Sequence, residues 1–187
     1  MTSAETIRGA FLPLNKNEQG PHGAEFREEF CDSISGTTIR LRTVDGVELD
    51  AVWSPSQRPD AATVILTHGN GSSLDGNAPF AAWYHNRGFN VLLYTMRGYP
   101  GSGGDAVKDG EIGCYADMHA AVRFALAHGA SRDKLLFHGY SFGGATAAAG
   151  AHFFGGHLTL DHTFTKPAAV AQNLLQSESS AVPFCIT

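Results

Sequence analysis

Lys134 to Gly144 read Lys-Leu-Leu-Phe-His-Gly-Tyr-Ser-Phe-Gly-Gly, an apolar run passing directly into a serine with glycine two residues away on each side. The run Leu135-Leu136-Phe137 has the continuous apolar character of a strand buried on both faces. Ser141 to Phe154 reads as a helix whose small residues let it lie close to a sheet. Gly139-Tyr140-Ser141-Phe142-Gly143 therefore stands at a strand-to-helix turn. A serine on so sharp a turn takes strained backbone angles, costing on the order of 1–3 kcal/mol, and tolerates only tiny neighbours, which is the role assigned to Gly139 and Gly143. Its hydroxyl then stands clear of the sheet. The amide N–H of Phe142, at the positive end of the new helix, points to where an oxyanion would develop. The five letters alone are weak evidence, and a serine cap after a strand is common; a plain cap does not need glycine on both sides.

Working outward, Val64-Ile65-Leu66 and FNVLLYTMRG (89–98) are two further buried-strand runs, and His157 to Phe164 (HLTLDHTF) reads as one more strand entering a loop. Pro79 to Arg87 could form a helix ended by Gly88, and Glu111 to His128 a longer one closed by Gly129. In the longer helix Ile112, Tyr115, Met118, Val122, Phe124 and Leu126 mark one broad apolar face. Upstream, Ile39, Leu41, Val47, Leu49 and Val52 flank Asp45-Gly46, a two-residue hairpin signal that predicts two antiparallel strands. The alternation predicts an α/β fold: a mostly parallel sheet of about six strands, helices on both faces and right-handed crossovers. Residues 1–36 lack sustained periodicity and are expected to be a partly irregular leader, with 37–187 forming the domain.

The chain has 187 residues, 43% hydrophobic and 17% charged, which fits one ordinary globular domain. A net charge of −5 with no run of Lys or Arg argues against a nucleic-acid surface or an anionic-lipid site. No window approaches the ~18 apolar residues of a membrane span, and the start lacks a secretory pattern, so a soluble cytoplasmic protein is expected. Cys31, Cys114 and Cys185 are odd in number and far apart, as free thiols would be. Neither CxxC nor HExxH spacing is present, so no metal site is expected.

His68-Gly69-Asn70-Gly71 follows the Val64–Leu66 run, where a second oxyanion donor would come from the backbone, and the N–H of Asn70 is the candidate, with Gly71 next in register. His68, ending a buried strand, is expected to be structural. Taken in order, DGVELDAVW (45–53), HGNGSS (68–73), NVLLYTMRGYPGSGG (90–104), YADMHAAVRFAL (115–126) and DKLLFHGYSFGG (133–144) resemble the α/β-hydrolase superfamily. The likeness is to its serine-hydrolase branch of esterases, acylglycerol lipases and peptidase-like members, and it runs from about Thr37 to Phe164. Thr95 departs from the pattern, since many relatives carry Asp there; the effect is expected on loop structure rather than chemistry. The resemblance implies acyl transfer to water from an ester, thioester or amide through an acyl-enzyme on Ser141, a small acylated substrate and no cofactor.

A serine needs a histidine to take its proton and a carboxylate to orient that histidine. The resemblance places these after a seventh and an eighth strand, whereas 46 residues follow Ser141, and by strand count the last two strands are missing. His152 and His157 are poor substitutes. Asp161 is a conceivable displaced acid, but Asp161 and His162 are expected to point apart, and His119 and His128 to face solvent. Phe142, Trp83 and Tyr99 are expected beside an apolar pocket. The alternative to a serine hydrolase is a truncated or degenerate hydrolase fold acting as a non-catalytic binding protein. An unfilled edge at the sixth strand would invite self-association.

Overall fold

The computed structural model describes residues 23–164. In chain order the elements are α1 (Gly23–Ser33), β1 (Thr37–Arg42), β2 (Glu48–Ser54), β3 (Thr63–Thr67), a 3-10 turn (Leu74–Asn77), α2 (Ala78–His85), β4 (Asn90–Tyr94), α3 (Ala106–Ala127), β5 (Leu135–Tyr140), α4 (Gly143–Phe154) and β6 (His157–Asp161). The six strands form one sheet in the order β1-β2-β4-β3-β5-β6. β1 and β2 pair antiparallel, as do β2 and β4, and the remaining pairs are parallel. From β3 the chain crosses to one side to make β4, then back over the other face to make β5. The carboxyl ends of β3 and β5 are thus adjacent at the point where strand order reverses, the place where open α/β sheets build their sites.

β3 is buried along its whole length, and β4 is buried after its first residue, as their unbroken apolar runs required. Two apolar layers flank the sheet. One packs Ile65, Leu92, Tyr94 and Phe137 against Met118, Ala121, Ala125 and Ala147 of α3 and α4. The other packs Val52, Val64, Leu66, Val91 and Leu93 against α1 and α2 through Phe30, Cys31, Ile34, Ala81 and Tyr84.

Three expectations need correction. The leader contains a helix: Phe26, Phe30, Cys31 and Ile34 recur at helical spacing, and the last three are buried on the sheet. The β1–β2 connection is a three-residue loop, Val44-Asp45-Gly46, closed by the Thr43 N–H donating to the Val47 carbonyl, with Gly46 at φ 84°. Asp45 is held there because it accepts from Arg97 Nη1 at 2.7 Å. α3 begins earlier than predicted and kinks at Gly110, and Ile112 is exposed. Its buried face is made of small residues with Met118, Val122 and Asp117, while Tyr115, Phe124 and Leu126 of the expected apolar face are half-buried.

Asp117 is buried because it pairs with Arg97. The fully buried guanidinium donates from Nε to Asp117 Oδ1 at 2.8 Å, and the Arg97 amide donates to the other carboxylate oxygen. Asp109 and Asp45 take up Nη1. This network ties the β4 exit loop to α3 and to the β1–β2 loop. The expected strand at His157 is present, and the helix expected from Ser141 begins at Gly143, since Ser141 has a left-handed φ of 50°; Cys185 and the stretch after Thr165 lie outside the described residues.

Candidate active site

Ser141 has φ +50°, one of four described non-glycine residues with positive φ, and it connects β5 directly to α4. That left-handed angle is the strained turn. The surrounding glycines are required by backbone atoms. A Cβ on Gly139 would stand 2.5 Å from the Gly143 carbonyl oxygen, and one on Gly143 would stand 2.4 Å from the Thr67 carbonyl oxygen. Neither contact is a side-chain tip that could swing away, so α4 lies against the end of β3 only because both positions lack a side chain.

Ser141 is pinned on both sides. Its N–H donates to the Asp161 carbonyl at 2.8 Å, and Thr163 Oγ1 donates to the Ser141 carbonyl at 2.6 Å. The Ser141 side chain is half-buried, and among the described residues no group hydrogen-bonds its hydroxyl. Phe142 follows as the residue preceding α4, half-buried against the core, and among the described residues its N–H has no backbone acceptor.

The loop after β3 comes up against this turn. A Cβ on Gly69 would meet Ser141 Cβ at 3.3 Å and the Tyr140 ring at 3.0 Å, so the backbone leading to Asn70 passes beside the serine. Asn70 itself is exposed, and its side-chain oxygen accepts from the buried Tyr99 hydroxyl at 2.8 Å. His68 is fully buried. Its Nδ1 meets the Gly69 carbonyl at 2.8 Å, and its Nε2 accepts the Met96 N–H at 2.9 Å, which fixes the neutral Nδ1–H tautomer. Burial pushes its pKa down to about 4, opposed by the bond to Gly69. Both ring nitrogens are engaged, so His68 holds the loop and is no base. Thr95 Oγ1 accepts the Leu74 N–H at 2.9 Å and fixes the following 3-10 turn, in keeping with a local structural part for Thr95. Arg27 of α1 clamps Asp75 of the same turn with Nε and Nη2, and reaches Asp50 with Nη1.

The fold recurs in solved structures. An esterase of Pyrococcus furiosus superposes with a TM-score of 0.67 at 20% identity, over 92% of this chain and 62% of the other. An alpha-beta hydrolase of Vibrio vulnificus gives 0.65 at 19% identity, over 95% and 65%. This chain has the α/β-hydrolase fold. In sequence the chain is 29% identical over 179 residues to the protein bem46 of Schizosaccharomyces pombe, covering 92% of this chain and 53% of that one. It is 27% identical over 153 residues to the protein YfhR of Escherichia coli O157:H7, covering 77% and 53%. The chain spans about half the length of these two relatives. No family model matches it.

Around the serine the hydrolase fold brings together a pair that sequence reasoning had set apart. His162 Nδ1 hydrogen-bonds Asp161 Oδ1, so the expectation that these adjacent residues point away from each other is corrected. His162 takes φ +48°, and that left-handed turn bends its ring back over the preceding carboxylate. Its side chain is 78% exposed, and its ring lies 5.8 Å from that of Tyr140. Among the described histidines no other has a ring nitrogen within ion-pair distance of a carboxylate.

The remaining histidines stand elsewhere. His138 on β5 is buried between the Phe80 and Tyr84 rings with neither nitrogen bonded, and burial lowers its pKa. His119 is half-buried against Phe154 rather than facing solvent, because small residues on α3 let α4 approach. His128 is exposed and stacks on Phe124. The three aromatics do not share a pocket wall. Trp83 is exposed on α2 beneath the Arg87 guanidinium, while the Tyr99 ring packs edge-on against His68. A cleft of about 420 Å³ between α1 and the β1–β2 hairpin is lined by Arg27, Arg40, Asp50 and Asp75 and does not include Ser141. Among the described residues no cluster of His, Cys, Asp or Glu could hold a metal ion, and no helix is long and apolar enough to cross a membrane.

Proposed function

We propose that the chain is the nucleophile-bearing part of a serine hydrolase that cleaves a small ester, thioester or amide through an acyl-enzyme on Ser141. The observation that carries this reading is Ser141 itself: a left-handed serine between a strand and a helix, in a cradle that admits only glycine at positions 139 and 143. The esterase named among the fold neighbours supports the same reaction class.

In this reading the Ser141 hydroxyl attacks the acyl carbonyl and its proton passes to a histidine. The oxyanion is met by the N–H of Phe142, at the start of α4, and by that of Asn70. Each such donor is typically worth on the order of 10²–10³ in rate. The proton then goes to the leaving group, and water attacks the acyl-enzyme by the same route in reverse. His162 is the described histidine best suited to act as base. Asp161 engages its Nδ1 and leaves Nε2 free, which is how an acid orients a catalytic imidazole.

The test is covalent labelling by a fluorophosphonate, followed by mass spectrometry. Labelling at Ser141 that disappears in Ser141→Ala is the expected result. His162→Ala should slow it by on the order of 10²–10⁴, the usual worth of a positioned base. A folded chain that never labels refutes the proposed function. Labelling that is intact in His162→Ala removes His162 from the mechanism and leaves Ser141 in place.

A further inference from the structure

Asn70, whose N–H meets the oxyanion in the proposed reaction, stands between two glycines, and Gly71 has φ +68°. A backbone of this composition has little stiffness of its own. An oxyanion donor must nevertheless be held within about 0.5 Å of its productive position, so residue 70 needs an anchor from outside the loop. The segment after β4 supplies one. The Tyr99 hydroxyl donates to Asn70 Oδ1 at 2.8 Å, and its ring stands edge-on to that of His68, with centroids 4.8 Å apart. Among the described residues no other hydrogen bond reaches Asn70. Tyr99 itself has little freedom. It is 2% exposed, its N–H donates to the Met96 carbonyl, and its own carbonyl accepts from the Ser102 N–H. The Ser102 hydroxyl in turn donates to the Thr95 carbonyl and accepts the Asp50 N–H, which ties the segment to β2. Burial pushes the Tyr99 phenol up, so it stays a protonated donor, and a buried hydroxyl keeps its acceptor.

We infer that Tyr99 is a positioning residue: by gripping the Asn70 side chain, its hydroxyl sets the Asn70 N–H toward the carbonyl that Ser141 attacks. The inference rests on the proposed serine-hydrolase function and adds to it a residue that makes and breaks no bond. The N–H in question belongs to the planar peptide between Gly69 and Asn70. One end of that peptide is already held, because the Gly69 carbonyl lies 2.8 Å from His68 Nδ1, and His68 is fixed through its Nε2 by the Met96 N–H. The peptide is trans, so its N–H points away from the buried imidazole. Gly69 itself is pressed beside Ser141 and the Tyr140 ring. What remains free is the Asn70 end, and Tyr99 holds that end. His68 and Tyr99, in contact with each other, thus fix the two sides of a single peptide plane.

Tyr99→Phe keeps the ring against His68 and removes only the hydroxyl, while Asn70→Ala removes only the acceptor and keeps the N–H. In the whole chain each should lower the rate of fluorophosphonate attachment at saturating probe by about ten- to hundredfold, since the phosphoryl oxygen takes up charge where the donor is misplaced. The probe concentration at half-saturation should not change. The double variant should react no more slowly than the slower single one, because both changes cut the same bond. Hydrogen exchange of the 68–73 backbone should quicken in both, with 63–67 unaltered.

A reaction without an oxyanion separates positioning from a general disturbance of the site. Alkylation of Ser141→Cys by iodoacetamide, followed on that peptide by mass spectrometry, builds no charge on a carbonyl or phosphoryl oxygen, and adding Tyr99→Phe should leave its rate unchanged. A folded Tyr99→Phe that takes up the fluorophosphonate at the parent's rate overturns the inference and leaves Ser141 as nucleophile. Equal slowing of the alkylation, effects of the two single variants that multiply in the double one, or unchanged exchange at 68–73 overturn it as well. Should Tyr99→Phe fail to fold, Asn70→Ala, at an exposed position, decides by the same criterion. A parent chain that never labels refutes the proposed function, and the inference falls with it.

Discussion

Gly143→Ala tests the geometry on which the site depends. Gly143 has helical backbone angles that alanine adopts freely, so no dihedral strain accompanies the change. The added methyl would stand 2.4 Å from the Thr67 carbonyl oxygen and 2.5 Å from that of His68. Ordinary contact begins near 3.4 Å, so α4 and the end of β3 must separate by about 1 Å, and both obstacles are backbone, Thr67 being held in a parallel ladder. Overpacking of this kind costs about 3 kcal/mol or more. For a chain of this size that corresponds to roughly 6–12 °C in Tm.

Gly129→Ala is the matched control. Gly129 has φ +90° and nothing within 4 Å of its missing Cβ, so alanine there incurs only the left-handed penalty, about 1–2 kcal/mol. Urea and thermal unfolding of the two variants beside the parent separate collision from dihedral strain. If Ser141 is the nucleophile, labelling of Gly143→Ala should also slow on the order of 10²-fold, since a shift of about 1 Å displaces the Phe142 N–H from the reacting centre. A Gly143→Ala protein within about 0.5 kcal/mol of the parent, the scatter of an ordinary surface change, would mean that α4 does not lie on β3 as described. The argument for the serine turn would fail with it.

Two further outcomes follow from the same structure. Ser141→Ala keeps a Cβ at φ +50° and should leave Tm unchanged, whereas Ser141→Gly removes the left-handed penalty and should raise Tm by roughly 1–4 °C after glycine's added chain entropy is subtracted. Differential scanning calorimetry decides it, and a drop of several degrees in both variants would mark a structural serine. Acid should destabilise the fold through His68: its pKa of about 4 lies below the unfolded value near 6.5, so the unfolded chain binds the extra proton between them. The contribution, about 3 kcal/mol, is complete above pH 6.5 and is lost as pH falls toward 4. Urea unfolding across that window should show a positive slope of stability with pH that flattens in His68→Asn; an unchanged slope refutes the assignment.

The sequence by itself determined the sheet and the place of the serine. Buried parallel strands must be apolar on both faces, so 64–66, 91–94 and 135–137 stood out without any partner being known, and the alternation with helical segments fixed the class. The glycines at 139 and 143 were legible because a backbone collision leaves a one-residue signature. Other features were decided only by tertiary structure. Asp45 read as a turn former and no local pattern marked Asp117, yet both carboxylates accept from Arg97 of a loop distant in sequence. The Tyr99 hydroxyl on Asn70 left no trace in local pattern. The contact of His162 with Asp161 depends on a left-handed angle at a residue that is not glycine, which no periodicity announces. Periodicity and glycine spacing are consequences of each residue's own backbone, and they can be read along the chain. Pairings between side chains arise from which strand lies beside which, and they exist only once the crossovers have been made.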